Sequence, residues 1–143
     1  TWKLSSHRTK NAKSHEVHLS EPVIAVLNRT KERGKFIFSR SGDSSFQDFS
    51  LAKRQLDKLS GVTGWRLHDL RRTCVSGMAR LGIAPHVADK ILNHQAGTIS
   101  GVAAIYQRHD FLAERREVLE TWGTHVRQII ANAFESNTLR RVA

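Results

Sequence analysis

The stretch "RLHDLRRT", residues 66–73, decides how this chain is read. His68 and Arg71 are three apart, so a helix carries both on one face. Leu70, Cys74, Met78 and Leu81 recur at i, i+4, i+8 and i+11, and Gly82 follows as a stop. That spacing predicts an amphipathic helix. An imidazole and a guanidinium side by side repel when both are charged, so the pair suits an anion that the chain does not itself supply.

Outward from that helix, the N-terminal side holds a loop, "SGVTG" (60–64), and a helix expected from Ser50 to Leu59. Before them, "KFIFSRSGDSS" (35–45) is a short apolar piece running into a Gly/Ser/Asp loop. The segment "SEPVIAVLNRTKERG" (20–34) predicts a helix with Ser20 as N-cap, Pro22 in its first turn and Gly34 as its stop. At the front, Trp2 and Leu4 alternate with polar neighbours, as do Val17 and Leu19 with Glu16 and His18. This is the period-two pattern of two half-buried strands joined by a basic connection.

On the C-terminal side, Pro85 opens a short helix with Val87, Ile91 and Leu92, and "NHQAGTIS" (93–100) is a loop. Ser100 can cap a helix with Val102, Ile105 and Tyr106. A final helix shows an apolar stripe of Val118, Leu119, Trp122, Val126, Ile129, Ile130 and Ala133. The expected fold is one mainly helical domain with a small antiparallel β element at its N-terminal edge.

Charge narrows the partner. Twenty-three Lys+Arg against thirteen Asp+Glu give a formal +10 over 143 residues. Such a domain faces phosphate, in nucleic acid or at an anionic membrane. The longest aliphatic run, "VIAVL" (23–27), is far short of a span of about 20 residues, and no secretory leader is visible. Cys74 is the single cysteine, which excludes a disulfide framework and a cysteine zinc site and favours a reducing cytoplasm. The chain opens at Thr1 in the middle of a strand pattern, so an upstream continuation is expected.

Eight histidines invite a metal reading. For His7, His15, His18, His86, His109 and His125, a solvated or locally bonded side chain is the simpler one. "HDLRR" puts an arginine where a metal would need a ligand. Arg71 taken alone reads as a surface ion pair to Asp69 or another acid, and Tyr106 as a core aromatic with its hydroxyl at the surface. Taken together with His94 in "LNHQAG", they are phosphate-compatible groups on successive elements. Arginine binds phosphate bidentately, histidine moves protons near neutral pH, and tyrosine is a covalent nucleophile when helped to ionise. These are the parts for metal-free attack on a phosphodiester.

His68, Arg71, His94 and Tyr106, set in "LHDLRRT", "LNH" and "GVAAIYQR", resemble the catalytic domain of the tyrosine recombinases, the phage-type integrases. The likeness is strongest to those of prophages and genomic islands and covers essentially the whole chain. The order H-x-x-R, then His 23 residues after Arg71, then Tyr 12 further on, carries it. The resemblance implies site-specific DNA recombination through a 3′-phosphotyrosine, with Tyr106 as nucleophile, and needs neither ATP nor metal. It implies that Arg71 clamps the non-bridging oxygens, that His94 donates to the phosphate, and that His68 assists proton transfer. Lys10, in the basic turn "RTKN", would protonate the leaving 5′-oxygen, with Lys13 as the less favoured candidate. Arg8, Lys13, Arg72 and Arg108 are the expected DNA contacts. The implied partners are double-stranded DNA and, for the whole protein, three further copies in a tetramer acting in a bacterial cytoplasm.

The chain also departs from the family pattern. The first of the family's two catalytic arginines lies well upstream of the lysine hairpin, and only nine residues precede Lys10 here. The family's N-terminal arm and core-binding domain are likewise expected to lie outside these 143 residues. The chain is therefore expected to be the C-terminal part of an integrase catalytic domain, inactive by itself. Its final helix reads as core or, by resemblance, as a segment that docks on a neighbouring protomer. The alternative function is a non-catalytic, helix-turn-helix-like DNA-binding module over residues 85–108. The loop there is longer than that motif's turn, and the reading leaves His68, Arg71 and Lys10 unexplained.

Overall fold

The structure, a computed structural model, describes residues 1–30, 34–39, 41–94 and 109–142. The chain forms two compact units, Thr1–Val23 with Val75–Ala143, and Ile24–Cys74.

In the first unit, β1 (Trp2–Leu4) pairs antiparallel with β2 (His15–Val17), Trp2 opposite Val17 and Leu4 opposite His15. The basic connection between them is more ordered than its composition suggests. It contains a single 3-10 turn, Ser6–Arg8, and Thr9 Oγ1 sits within hydrogen-bonding reach of the Ser6 and Lys13 carbonyl oxygens (3.0 and 2.6 Å). Ala12 takes a left-handed φ of 52° to complete the reversal. The short helix begins at Pro85, as expected, because proline's fixed φ suits the first helical position and its missing N–H costs nothing there.

The long C-terminal helix, Leu112–Val142, is fastened to the hairpin and the residues after it. The buried Arg115 guanidinium donates to the Glu16 carbonyl and, at 3.3 Å, to the Asp110 carbonyl. Burial pushes its pKa down, opposed by the nearby Asp110 and Glu16 carboxylates. One turn on, the Glu120 carboxylate meets His18 Nε2 at 2.6 Å and accepts from the Glu21 N–H at 3.2 Å. Arg127 pairs with Glu21 at 2.7 Å. Gly123 is required here, since a Cβ would stand 2.8 Å from Ser20 Oγ and 3.2 Å from the Pro22 ring.

Met78, Val87 and Ala88 are the buried apolar side chains among the described residues. Beside Met78, a Cβ on Gly77 would overlap the Trp122 indole, so glycine permits the close approach of the two helices. The C-terminal stripe splits in two. Val118, Leu119, Trp122 and Val126 are half-buried, whereas Ile129, Ile130 and Ala133 are exposed. Periodicity gave both halves the same standing, and it cannot report where packing partners run out.

In the second unit, α1 (Glu21–Arg29, which starts in the first) stops before the expected Gly34. Thr30 supplies the ending, its N–H bonded to the Leu27 carbonyl at 3.0 Å and its hydroxyl to the Val26 carbonyl at 3.1 Å. α2 (Phe49–Ser60) closes on Gly61, whose φ of 68° needs the absent side chain and whose N–H reaches the Asp57 carbonyl. Lys53 bonds Asp57 at 2.6 Å and lies 4.9 Å from the Trp65 ring centroid. α3 (Leu67–Arg80, whose residues from Val75 on belong to the first unit) confirms the helix read from its spacing, with one difference. Leu70, at the start of the stripe, is 59% exposed, while Met78 is 1% exposed. With the short helix Pro85–Ile91 as α4 and Leu112–Val142 as α5, the described chain is mainly helical, with one antiparallel hairpin followed in sequence by five helices.

Candidate functional site

His68, Arg71 and Arg72 lie on the first two turns of α3, and all three are exposed. Asp69 organises that start. Its carboxylate accepts from the Arg66 N–H at 2.8 Å, satisfying a donor that the helix leaves unpaired. The other oxygen meets Arg72 Nη1 at 3.0 Å. The Arg66 backbone bond, and then the Arg72 charge, hold the Asp69 carboxyl below its ordinary range. Asp69 thus pairs with Arg72. Burial pushes the Cys74 thiol pKa up, opposed only in part by the nearby Arg71 charge. Cys74 is therefore a packed, poorly nucleophilic thiol.

Lys10 and His94 belong to the first unit, and hydrogen bonds join their two segments. Asn11, next to Lys10, donates from Nδ2 to Asn93 Oδ1 at 2.7 Å and reaches the Asn93 carbonyl at 3.4 Å. Its own Oδ1 accepts from the Lys13 N–H at 3.2 Å, which shapes the turn. A second tie runs from His15 Nε2 to the Ile91 carbonyl at 3.2 Å.

The end of α4 presents His94. Asn93 adopts a left-handed φ of 55°, its N–H bonds the Lys90 carbonyl (3.2 Å), and the His94 N–H bonds the Asp89 carbonyl (3.0 Å). This is the Schellman closure, in which the left-handed residue is usually glycine and sometimes asparagine. Asp89 Oδ1 stands 3.3 Å from His94 Nδ1. An ionised carboxylate only accepts, so this contact puts the proton on Nδ1 and turns Nε2 outward.

Within the first unit the structure therefore brings the Lys10 turn to the His94 cap, with Arg8 and Lys13 exposed on the same hairpin. His68, Arg71 and Arg72 share the start of α3. Tyr106 and Arg108, with the expected helix after Ser100, lie outside the described residues. The other six histidines have partners within the fold, two of them far away in sequence. His7 meets Ser5, His15 meets Ile91, and His18 meets Glu120. His86 and His109 pack on Phe111, and His125 packs on Trp122. Among the described residues no group of three or more His, Cys, Asp or Glu side chains could hold a metal ion. None of their helices is long and apolar enough to cross a membrane.

Three residues of this arrangement escaped the sequence reading: Asn11, Asn93 and Asp89. Asn93 carried a usable signal, because an asparagine just past a short apolar helix is a candidate left-handed cap. The pairing of Asn11 with Asn93 spans 82 residues and left no local trace.

The sequence profile of the phage integrase family matches residues 1–112, and the chain belongs to that family. The match takes in the hairpin, α1 to α4 and the "GVAAIYQR" segment, and ends at the first residue of α5. The chain is similar to Prophage integrase IntA of Escherichia coli (strain K12), 28% identical over 131 residues. That alignment covers 88% of this chain and 31% of the relative, so the chain spans about a third of the relative's length. No solved structure matches it.

Proposed function

We propose that this chain supplies the C-terminal part of the catalytic domain of a DNA strand-transferase, acting by transesterification through Tyr106. The observation that carries the reading is the junction in the first unit, where hydrogen bonds join the turn bearing Lys10 to the residue before His94. Two cationic or proton-donating side chains from opposite ends of the sequence, on a chain of formal +10, are suited to one phosphodiester.

In that reaction the Tyr106 oxygen attacks phosphorus, and the bond to the 5′-oxygen breaks. His68 assists removal of the phenolic proton, and Lys10 donates a proton to the departing 5′-oxygen. Arg71 and His94 stabilise the charge gathering on the non-bridging oxygens. A 5′-hydroxyl from another strand reverses the step, so bond energy is conserved without a nucleotide cofactor. Arg8, Lys13, Arg72 and Arg108 contribute phosphate contacts that position the duplex, and four copies act together on DNA in the bacterial cytoplasm. These 143 residues alone hold one clamping arginine and are expected not to cleave DNA.

The test uses the complete gene product on a nicked duplex spanning the end of its own genomic element. Denaturing electrophoresis should show a covalent protein–DNA complex, absent with Tyr106→Phe, while salt-dependent DNA binding persists. A complex that survives Tyr106→Phe would overturn the assignment, because the change removes only the phenolic hydroxyl.

A further inference from the structure

We infer that Asn11 and Asn93 form a positioning clasp that sets Lys10 against the scissile phosphate bound at His94. The inference rests on the strand-transfer reading above and adds residues that touch neither the DNA nor the nucleophile. Asn11 bonds twice to Asn93, through the side-chain oxygen at 2.7 Å and the carbonyl at 3.4 Å. Asn93 Nδ2 lies 3.5 Å from Asn11 Oδ1, so the two amides face each other head to head.

The chemistry of position 93 is specific. The Schellman closure needs a left-handed residue, and glycine would satisfy the backbone with less strain than asparagine. Asparagine adds the one thing that glycine lacks, an amide that can hold the hairpin. Position 11 is likewise double-purpose, with Oδ1 on the Lys13 N–H and Nδ2 on Asn93. Both side chains are half-buried, whereas Lys10 is exposed. A lysine on a free two-stranded hairpin would sample many positions. The clasp, with the His15–Ile91 bond behind it, fixes the root of that lysine relative to the residue that precedes His94.

A positioning role is distinguished from a merely structural one by the leaving group. When Tyr106 attacks, the P–O5′ bond breaks, and the alkoxide needs the Lys10 proton. If sulfur replaces the bridging 5′-oxygen, the P–S bond breaks to give a thiolate that leaves unprotonated, since thiols ionise with a pKa near ~8.5. Loss of Lys10 or of its positioning then ceases to matter, while any damage to folding, DNA binding or nucleophile alignment persists.

The experiment measures single-turnover cleavage by the complete gene product on two nicked duplexes identical except for oxygen or sulfur at the bridging position. Asn93→Gly keeps the left-handed cap and removes the amide pairing, leaving only the 3.4 Å reach from Asn11 to the backbone carbonyl. It should slow the oxygen substrate about tenfold or more and leave the sulfur substrate within about twofold of wild type. Lys10→Ala should show the same pattern with a larger loss on oxygen. An equal loss on both substrates with Asn93→Gly would overturn the clasp and leave the strand-transfer reading standing. An equal loss on both with Lys10→Ala would overturn the lysine assignment and the clasp's purpose with it. Persistence of the covalent complex in Tyr106→Phe would instead remove the reading on which both depend.

Discussion

The start of α3 and the end of α4 present catalytic candidates in two different ways. The turn carrying His68 and Arg71 is shaped by bonds between near neighbours, Arg66 to Asp69 and Asp69 to Arg72, each three residues apart. The cap carrying His94 is shaped by a local closure and then tied to the hairpin across 76 and 82 residues. The first arrangement travels with its sequence wherever a helix begins there. The second exists only once the domain has folded. This chain therefore sets "LHDLRRT" on self-contained geometry and leaves the placement of Lys10 and His94 to tertiary structure.

That contrast predicts unequal consequences of mutation. The largest belongs to Arg71. In the complete gene product Arg71→Ala should lower the cleavage rate by about three powers of ten or more, because a positioned arginine is worth that much in phosphoryl transfer. The circular dichroism of α3 should be unchanged, since Asp69 and Arg72 still close its first turn. A loss of helicity comparable to the loss of activity would show that Arg71 serves the fold.

Next comes the far end of the same helix, where tertiary packing takes over. Gly77→Ala drives a methyl into the Trp122 ring, and it should destabilise the protein by about 1–3 kcal/mol in denaturant titration. An unchanged midpoint would mean that α3 and α5 do not pack as described.

A smaller effect is expected at the cap. Asp89→Ala releases the His94 ring from its carboxylate and should slow cleavage about tenfold, as expected for a modest misplacement of a reacting group. Asp89→Asn keeps an acceptor and should recover most of the rate, with both melting temperatures near wild type. Equal losses in the two variants would sink the orienting role.

The smallest effects are those of acid. The folded-state pKa values of Asp69 and Glu120 are lowered, the first mainly by the Arg66 N–H, the second by His18 and then the Glu21 N–H. A lowered carboxyl pKa contributes stability that is fully present above the unfolded value and is lost as pH falls through the folded one. Stability should therefore hold at neutral pH and decline below about pH 4, with Glu120→Gln flattening part of that decline. A decline that begins near neutrality would place the controlling group elsewhere.

The legible parts of this molecule follow the same division. The apolar spacing from Leu70 to Leu81, proline at the start of α4 and glycine after α3 each state a local rule, and each produced the expected element. Burial was less legible. Leu70 and Ile129 obey the helical period yet stand exposed, because period records which face a residue occupies and not what covers that face. Least legible were the bonds from Asn11 to Asn93 and from Arg115 to Glu16, which join residues of ordinary composition across most of the chain.

The central claim, that the single tyrosine is the nucleophile, has one direct measurement. The covalent complex trapped on a nicked duplex is digested with nuclease and trypsin, which cuts after Lys90 and Arg108 to release residues 91–108. Mass spectrometry should find that peptide carrying a 3′-linked nucleotide whose fragment ions place it on Tyr106. A nucleotide on any other peptide, or on a serine or histidine within this one, would contradict the account.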